Sequence, residues 1–81
     1  LINNFGIKRW FLNDKLHREN GPAVEYPNGI KVWWINGKCH RVDGPAIEGP
    51  DGHKSWWIDN KRIPCSTQEE FEKLMKLGLF W

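Results

Sequence analysis

Two adjacent pairs, His17-Arg18 and His40-Arg41, carry the most chemistry in this sequence. A guanidinium presents a planar fork of donors that matches a phosphate or a carboxylate, and a neighbouring imidazole adds another donor. One reading of the pairs is therefore an anion site. The other is structural: each imidazole bonds a neighbouring strand, and Arg18 and Arg41 pair with Glu25 and Glu48. The pairs recur along the chain, and residues that return with every unit usually maintain the unit. His53 has no such recurrence, since Ile7 and Ile30 hold its place elsewhere, and it reads as a surface side chain.

Other chemistry is thin. Cys39 and Cys65 are the two cysteines; they could pair, and a reducing compartment suits them equally. No CxxC or HxxxH spacing marks a metal site. There is no nucleophile with a base at a familiar spacing, no phosphate-gripping glycine loop and no paired-carboxylate motif. The expectation is a chain with no catalytic residues, metal or cofactor.

Aromatic residues offer a third possibility. Trp10, Trp33, Trp34, Trp56 and Trp57 interleave with Lys8/Arg9, Lys31, Lys54 and Lys61/Arg62. Stacking platforms beside positive charge bind single-stranded nucleic acid. Against this, 12 Lys and Arg are diluted by 10 Asp and Glu, leaving a net charge of +2. Lysine stems covering tryptophan faces explain the same pattern without a ligand.

The elements that must position these residues are repeats. Trp10, Trp33 and Trp56 are 23 residues apart, and Phe11/Trp34/Trp57, Leu12/Ile35/Ile58 and Lys15/Lys38/Lys61 keep the same step. "LHRENGPAVEYPNG" (16–29) returns as "CHRVDGPAIEGPDG" (39–52). The units are about 7–29, 30–52 and a partial 53–63, within one domain over 1–81. Each unit reads as β: "IKVWWI" (30–35) favours a pleated, half-buried surface, Asn36-Gly37 suits a tight hairpin, and Pro50-Asp51-Gly52 reverses the chain again. Asn20-Gly21-Pro22 and Asp43-Gly44-Pro45 read as bulged turns in which Gly takes a special dihedral angle. Alternation along a strand puts Trp10/Trp33/Trp56 on one face and Phe11/Trp34/Trp57 on the other.

The third copy breaks off, with Ile63-Pro64 where His-Arg should stand. "STQEEFEKLMKLG" (66–78) then predicts a capping helix over about 67–77, with Ser66/Glu69 or Thr67/Glu70 as the capping box and Gly78 as the stop. Leu79-Phe80-Trp81 is expected to tuck in beside it. The fold class expected is mainly β: an antiparallel meander of about six short strands built from hairpin repeats and capped by one C-terminal α-helix. A chain of 81 residues buries only about 60% of its unfolded surface, and the large aromatic rings compensate. No apolar run reaches the ~18–20 residues that span a bilayer and no secretory leader pattern is seen, so a soluble cytoplasmic protein is expected.

The pattern "WWxNGKxHRxDGPAxExPDGxKxWW" over about residues 4–72 resembles repeat proteins of tailed bacteriophages, large DNA viruses and some bacteria, and is similar to MORN-type β-hairpin repeats with a different glycine pattern. The resemblance implies a twisted single-layer meander and a phage-like origin. It carries no activity with it. The functional expectation is a non-catalytic module, encoded by a phage, that binds and inhibits or modulates a host protein in the host cytoplasm. Its candidate contacts are Trp10, Trp33, Trp34, Trp56, Trp57, His17, Arg18, His40 and Arg41. A small-molecule or nucleotide sponge and a single-strand binder are the alternatives. Asn4-Phe5-Gly6 sits where later units have Pro-Asn-Gly and Pro-Asp-Gly, so the first strand is expected to leave an open edge for a homodimer or a partner strand.

Overall fold

The computed structural model describes residues 6–78. Strands β1 (Lys8–Arg9), β4 (Val24–Glu25), β5 (Lys31–Val32), β8 (Ile47–Glu48), β9 (Lys54–Ile58) and β10 (Lys61–Ile63) form one antiparallel sheet in that order. Two hairpins branch from it: β2 (Phe11–Leu12) with β3 (Lys15–Leu16), and β6 (Trp34–Ile35) with β7 (Lys38–Cys39). Helix α1 (Gln68–Leu77) follows. The fold is thus an antiparallel β-meander of hairpin repeats with a single C-terminal helix.

Six strands lie in the main sheet, as the period suggests, but the described residues hold ten strand segments. The long strand of each full unit changes partner at its first tryptophan. Trp10 N–H donates to Ala23 C=O on the sheet side at 2.9 Å, while Trp10 C=O accepts from His17 N–H at 2.9 Å. Trp33 repeats this with Ala46 and His40. Ala23 and Ala46 are fully buried at these crossings.

Every hairpin turns through two residues of positive φ: Asn13-Asp14, Asn36-Gly37 and Asp59-Asn60. Tight hairpins need that geometry, and Asn, Asp and Gly adopt it at least cost. The other reversal ends at Gly29 and Gly52, with φ of 98° and 87°. There Asn28 and Asp51 carboxamide or carboxylate oxygens accept from the N–H two residues on. Gly21 and Gly44 are not among the positive-φ residues, so the expected special dihedral is corrected below by a different need.

Cross-strand register places Lys8 opposite Glu25, Glu25 opposite Lys31, Lys31 opposite Glu48 and Glu48 opposite Lys54. Opposite charges at such positions stabilise a sheet by roughly 0.2–1 kcal/mol per pair. Of the basic residues read as a platform for nucleic acid, Lys8, Lys31 and Lys54 are therefore interleaved with carboxylates, whereas Arg9, Lys61 and Arg62 lie opposite Val24, Ile58 and Trp57.

The core lies under the helix. Trp56, Ile58, Ile63 and Phe71 are all buried and in mutual contact, with Cys65, Leu74 and Met75 packed against them. Thr67 is the N-cap, its hydroxyl accepting from Glu70 N–H at 3.1 Å, and Glu70 reaches back to Ser66 N–H at 2.7 Å. Of the two capping registers the later one is adopted. Gly78, at φ 70°, closes the helix by donating to Met75 C=O. The first strand, expected to leave an edge, is the terminal strand of the sheet among the described residues; residues 1–5, which precede it, and the expected docking of residues 79–81 lie outside the described residues.

Candidate functional site

Arg41 is held in a slot. Its guanidinium lies over the Trp33 ring, 3.8 Å from the centroid. Nε donates to Asp43 at 2.9 Å, and one Nη donates to Pro45 C=O and to Glu48, each at 3.0 Å. A Cβ on Gly44 would stand 2.7 Å from Arg41 Cζ. A side chain at this position would have to displace the guanidinium from its place over the indole. Arg18 repeats the arrangement more loosely: 3.9 Å from the Trp10 ring, 3.1 Å to Pro22 C=O, 3.4 Å to Glu25, with Gly21 opposite. The structural reading of the arginines thus has its geometry: the carboxylates expected as partners are the partners found. Arg41 also holds the Asp43 carboxyl below its usual range, chiefly through their hydrogen bond.

The histidines stitch one unit to the next. His17 Nδ1 accepts from Asn36 N–H at 3.0 Å, and His40 Nδ1 accepts from Asp59 N–H at 3.2 Å. An accepting Nδ1 leaves the ring proton to Nε2. His17 Nε2 is buried and has no hydrogen-bond partner among the described residues; the Glu19 carboxylate at 3.5 Å is within ion-pair range but outside hydrogen-bonding geometry. Each stitch is reinforced by the backbone. Arg18 N–H donates to Trp34 C=O and Gly37 N–H to Leu16 C=O; Arg41 N–H to Trp57 C=O and Asn60 N–H to Cys39 C=O. The second junction adds Asn60 Oδ1, which accepts from Cys39 N–H at 2.7 Å.

The tryptophans divide. Trp10 and Trp33 lie under arginines of their own units. Trp56, their equivalent, is 2% exposed and lies under the helix instead, its Nε1 donating to Gln68 at 2.7 Å. Pro64 replaces the arginine in that copy, and α1 supplies the lid. Trp56 is therefore a core residue in this structure. Trp34 and Trp57 are half-buried, and Trp57 Nε1 donates to Ser55 Oγ.

Comparison with protein-family models, with curated proteins and with solved structures finds no match for this chain. Any functional reading rests on the surface itself.

One part of that surface stands apart. An open groove of about 690 Å³ runs between the first two units, with Trp33 and Ile35 in it, Arg18, Pro22, His40 and Arg41 along it, and Val42 at one margin. A second groove, about 380 Å³, lies on the helix between Phe71, Glu72, Met75 and Lys76, and Val42 borders it too. Val42 is 50% exposed and its carbonyl accepts from Gln68 Nε2 at 3.1 Å. Gln68 therefore ties Val42, the helix and Trp56 together. Of the residues singled out by sequence, Arg18, Trp33, His40 and Arg41 meet in the first groove; Trp10, His17, Trp34, Trp56 and Trp57 are not among its lining residues.

Val42 and Gln68 escaped the sequence reading. The sequence did carry one signal for Val42: it stands where the first unit has Glu19, an apolar residue at a polar loop position. Cys39 is buried and its thiol is pushed up to about 11 by that burial. Cys65 is raised by burial and then by Glu70, with Arg62 opposing. Both are free thiols. Among the described residues no group of three His, Cys, Asp or Glu side chains is placed to hold a metal ion, and no helix is long and apolar enough to cross a membrane.

Proposed function

We propose that the chain is a non-catalytic binding module for another protein: in a phage-encoded setting, a host protein that it inhibits or modulates in the host cytoplasm. The observation that supports this reading is Val42, half-exposed and bordering both grooves. An exposed aliphatic side chain lines two grooves, one with an indole and two arginines, the other with Met75 and Lys76 of α1. Aromatic, Met and Arg residues are enriched at protein interfaces, where a few well-placed side chains dominate the affinity. Hydrogen bonds already hold Arg18 and Arg41 in place, which lowers the ordering cost of binding. Lys8, Lys31 and Lys54 offer nucleic acid a weaker footing, since each lies opposite Glu25 or Glu48 in register.

The test is affinity capture from host lysate with and without nuclease, identification of the captured protein, and its titration with purified chain. Val42→Asp is expected to weaken that complex by about tenfold or more, with an unchanged unfolding midpoint. Arg41 and Trp33 are unsuitable for this purpose because their loss disturbs the fold. Capture of nucleic acid alone, lost in salt, overturns the proposal. Binding of a small anion or nucleotide, with no protein captured, supports the sponge instead.

A further inference from the structure

The two junctions between units use the same chemistry, and the first hairpin carries one half of it without a counterpart among the described residues. At each junction the preceding unit offers a carbonyl (Leu16, Cys39), an imidazole Nδ1 (His17, His40) and an N–H (Arg18, Arg41). The following hairpin answers with an N–H at its second turn residue, an N–H at its first turn residue and a carbonyl two residues before the turn. In the first hairpin the equivalent groups are Asp14 N–H, Asn13 N–H and Phe11 C=O. None of them meets such a partner among the described residues. Phe11 and Leu12 are 59% and 48% exposed, whereas Trp34 and Ile35 at the same positions of the second hairpin are half-buried. Lys8 likewise has Glu25 on one side only, whereas Lys31 lies between Glu25 and Glu48.

We propose that the outer edge of the β2–β3 hairpin, with Lys8 beside it, is a docking site for one further 23-residue unit of this repeat type, carrying an unengaged His-Arg pair and an Ile-Glu return strand. A second copy of this chain does not fit that description. Both of its His-Arg pairs are engaged at internal junctions, and its third position is Ile63-Pro64. Isoleucine offers no acceptor to a turn N–H, and proline has no N–H for the awaiting carbonyl. Those two residues close the helix end to a further unit, whereas the β2–β3 edge carries no such block among the described residues.

A free 23-residue peptide would have to order itself on binding, which weakens its capture. Linking the unit to the chain supplies the effective concentration that makes docking measurable. The experiment therefore places a copy of residues 30–52 directly before Ile7 of the full chain, in place of residues 1–6, which keeps the repeat register. Amide exchange at Asn13 and Asp14 is expected to slow by about tenfold or more relative to the original chain. With His40→Leu in the added copy alone, Asn13 loses that protection while Asp14 keeps it, because the Cys39 carbonyl of the copy still accepts. Unprotected Asn13 and Asp14 in the first fusion overturn the proposal, as does equal protection of Asn13 in both. Protection of these amides in the original chain that grows with its concentration assigns the edge to a second copy, and overturns it as well.

Discussion

An arginine clamped between an indole and a glycine depends on a space one methyl group would fill. Gly44→Ala drives Arg41 off Trp33 or forces its hydrogen bonds to lengthen, and overpacking of this kind costs roughly 1–3 kcal/mol. Gly21→Ala is expected to cost less, since the Cβ there would stand 3.2 Å from Arg18 Cζ, against 2.7 Å at Gly44. Urea midpoints of the two variants give the order; a larger loss for Gly21→Ala would refute the clamp as the reason for these glycines. Cys39 supplies a prediction with a defined pH window. Burial raises its thiol from 9.0 to about 11, so between those values the unfolded chain releases a proton that the folded chain keeps. Folding stability falls across that window as pH rises. Cys39→Ala removes this contribution while sharing every other ionisation, so the difference in stability between the two proteins should change from about pH 9 to 11 and stay flat below. A flat difference throughout would show that the thiol is not desolvated.

Helix α1 does at the third unit what an arginine does at the first two. It covers the ladder tryptophan, with Gln68 as the polar contact and Phe71 as the apolar one. Its start depends on Thr67 accepting from Glu70 N–H. Thr67→Ala is expected to cost about 1 kcal/mol and, because Gln68 follows directly, to raise the mobility of the lid over Trp56. Fluorescence quenching by acrylamide should increase alongside the loss in the urea midpoint; Ser66→Ala, whose N–H rather than hydroxyl is used, should leave both nearly unchanged. Equal effects of the two substitutions would return the N-cap to Ser66. The strand segments show the same economy of parts. A single residue, Trp10 or Trp33, passes the chain from the sheet to its hairpin, and the buried alanines opposite leave room for the crossing.

Across the whole molecule, stability is held unit by unit, with each histidine securing one junction. His17→Leu leaves Asn36 N–H without its acceptor, at a cost of about 1–3 kcal/mol if the group stays desolvated. In a stacked repeat each unit touches only its neighbours. Amide exchange after His17→Leu should therefore rise in residues 11–16 while residues 54–63, packed under the helix, keep their protection. A uniform rise over the chain would show one cooperative block instead. His40→Leu should differ: the second junction retains the Asn60 side-chain bond to Cys39 N–H, which the first, with Gly37 in that place, does not have.

Much of this protein is legible without coordinates because its information is periodic. The 23-residue step, the turn residues at 36–37 and 59–60 and the cap signals at 66–78 are each local, and local chemistry dictates hairpins and a terminal helix. The pairing of Arg18 with Glu25 and of Arg41 with Glu48 was also accessible, because both partners recur in step with the unit. What the tertiary structure decided is how equivalent residues come to differ. Trp10, Trp33 and Trp56 are indistinguishable by period, yet two lie under arginines and one under a helix, since only packing determines which lid is present. Gly21 and Gly44 were assigned to backbone geometry, whereas their role is to leave space for a side chain held three residues earlier in the chain. Val42 borders the groove on the helix as well as that between the units, and Gln68 joins it to the helix. Those assignments depend on contacts between segments distant in sequence, and no periodicity within one segment encodes them.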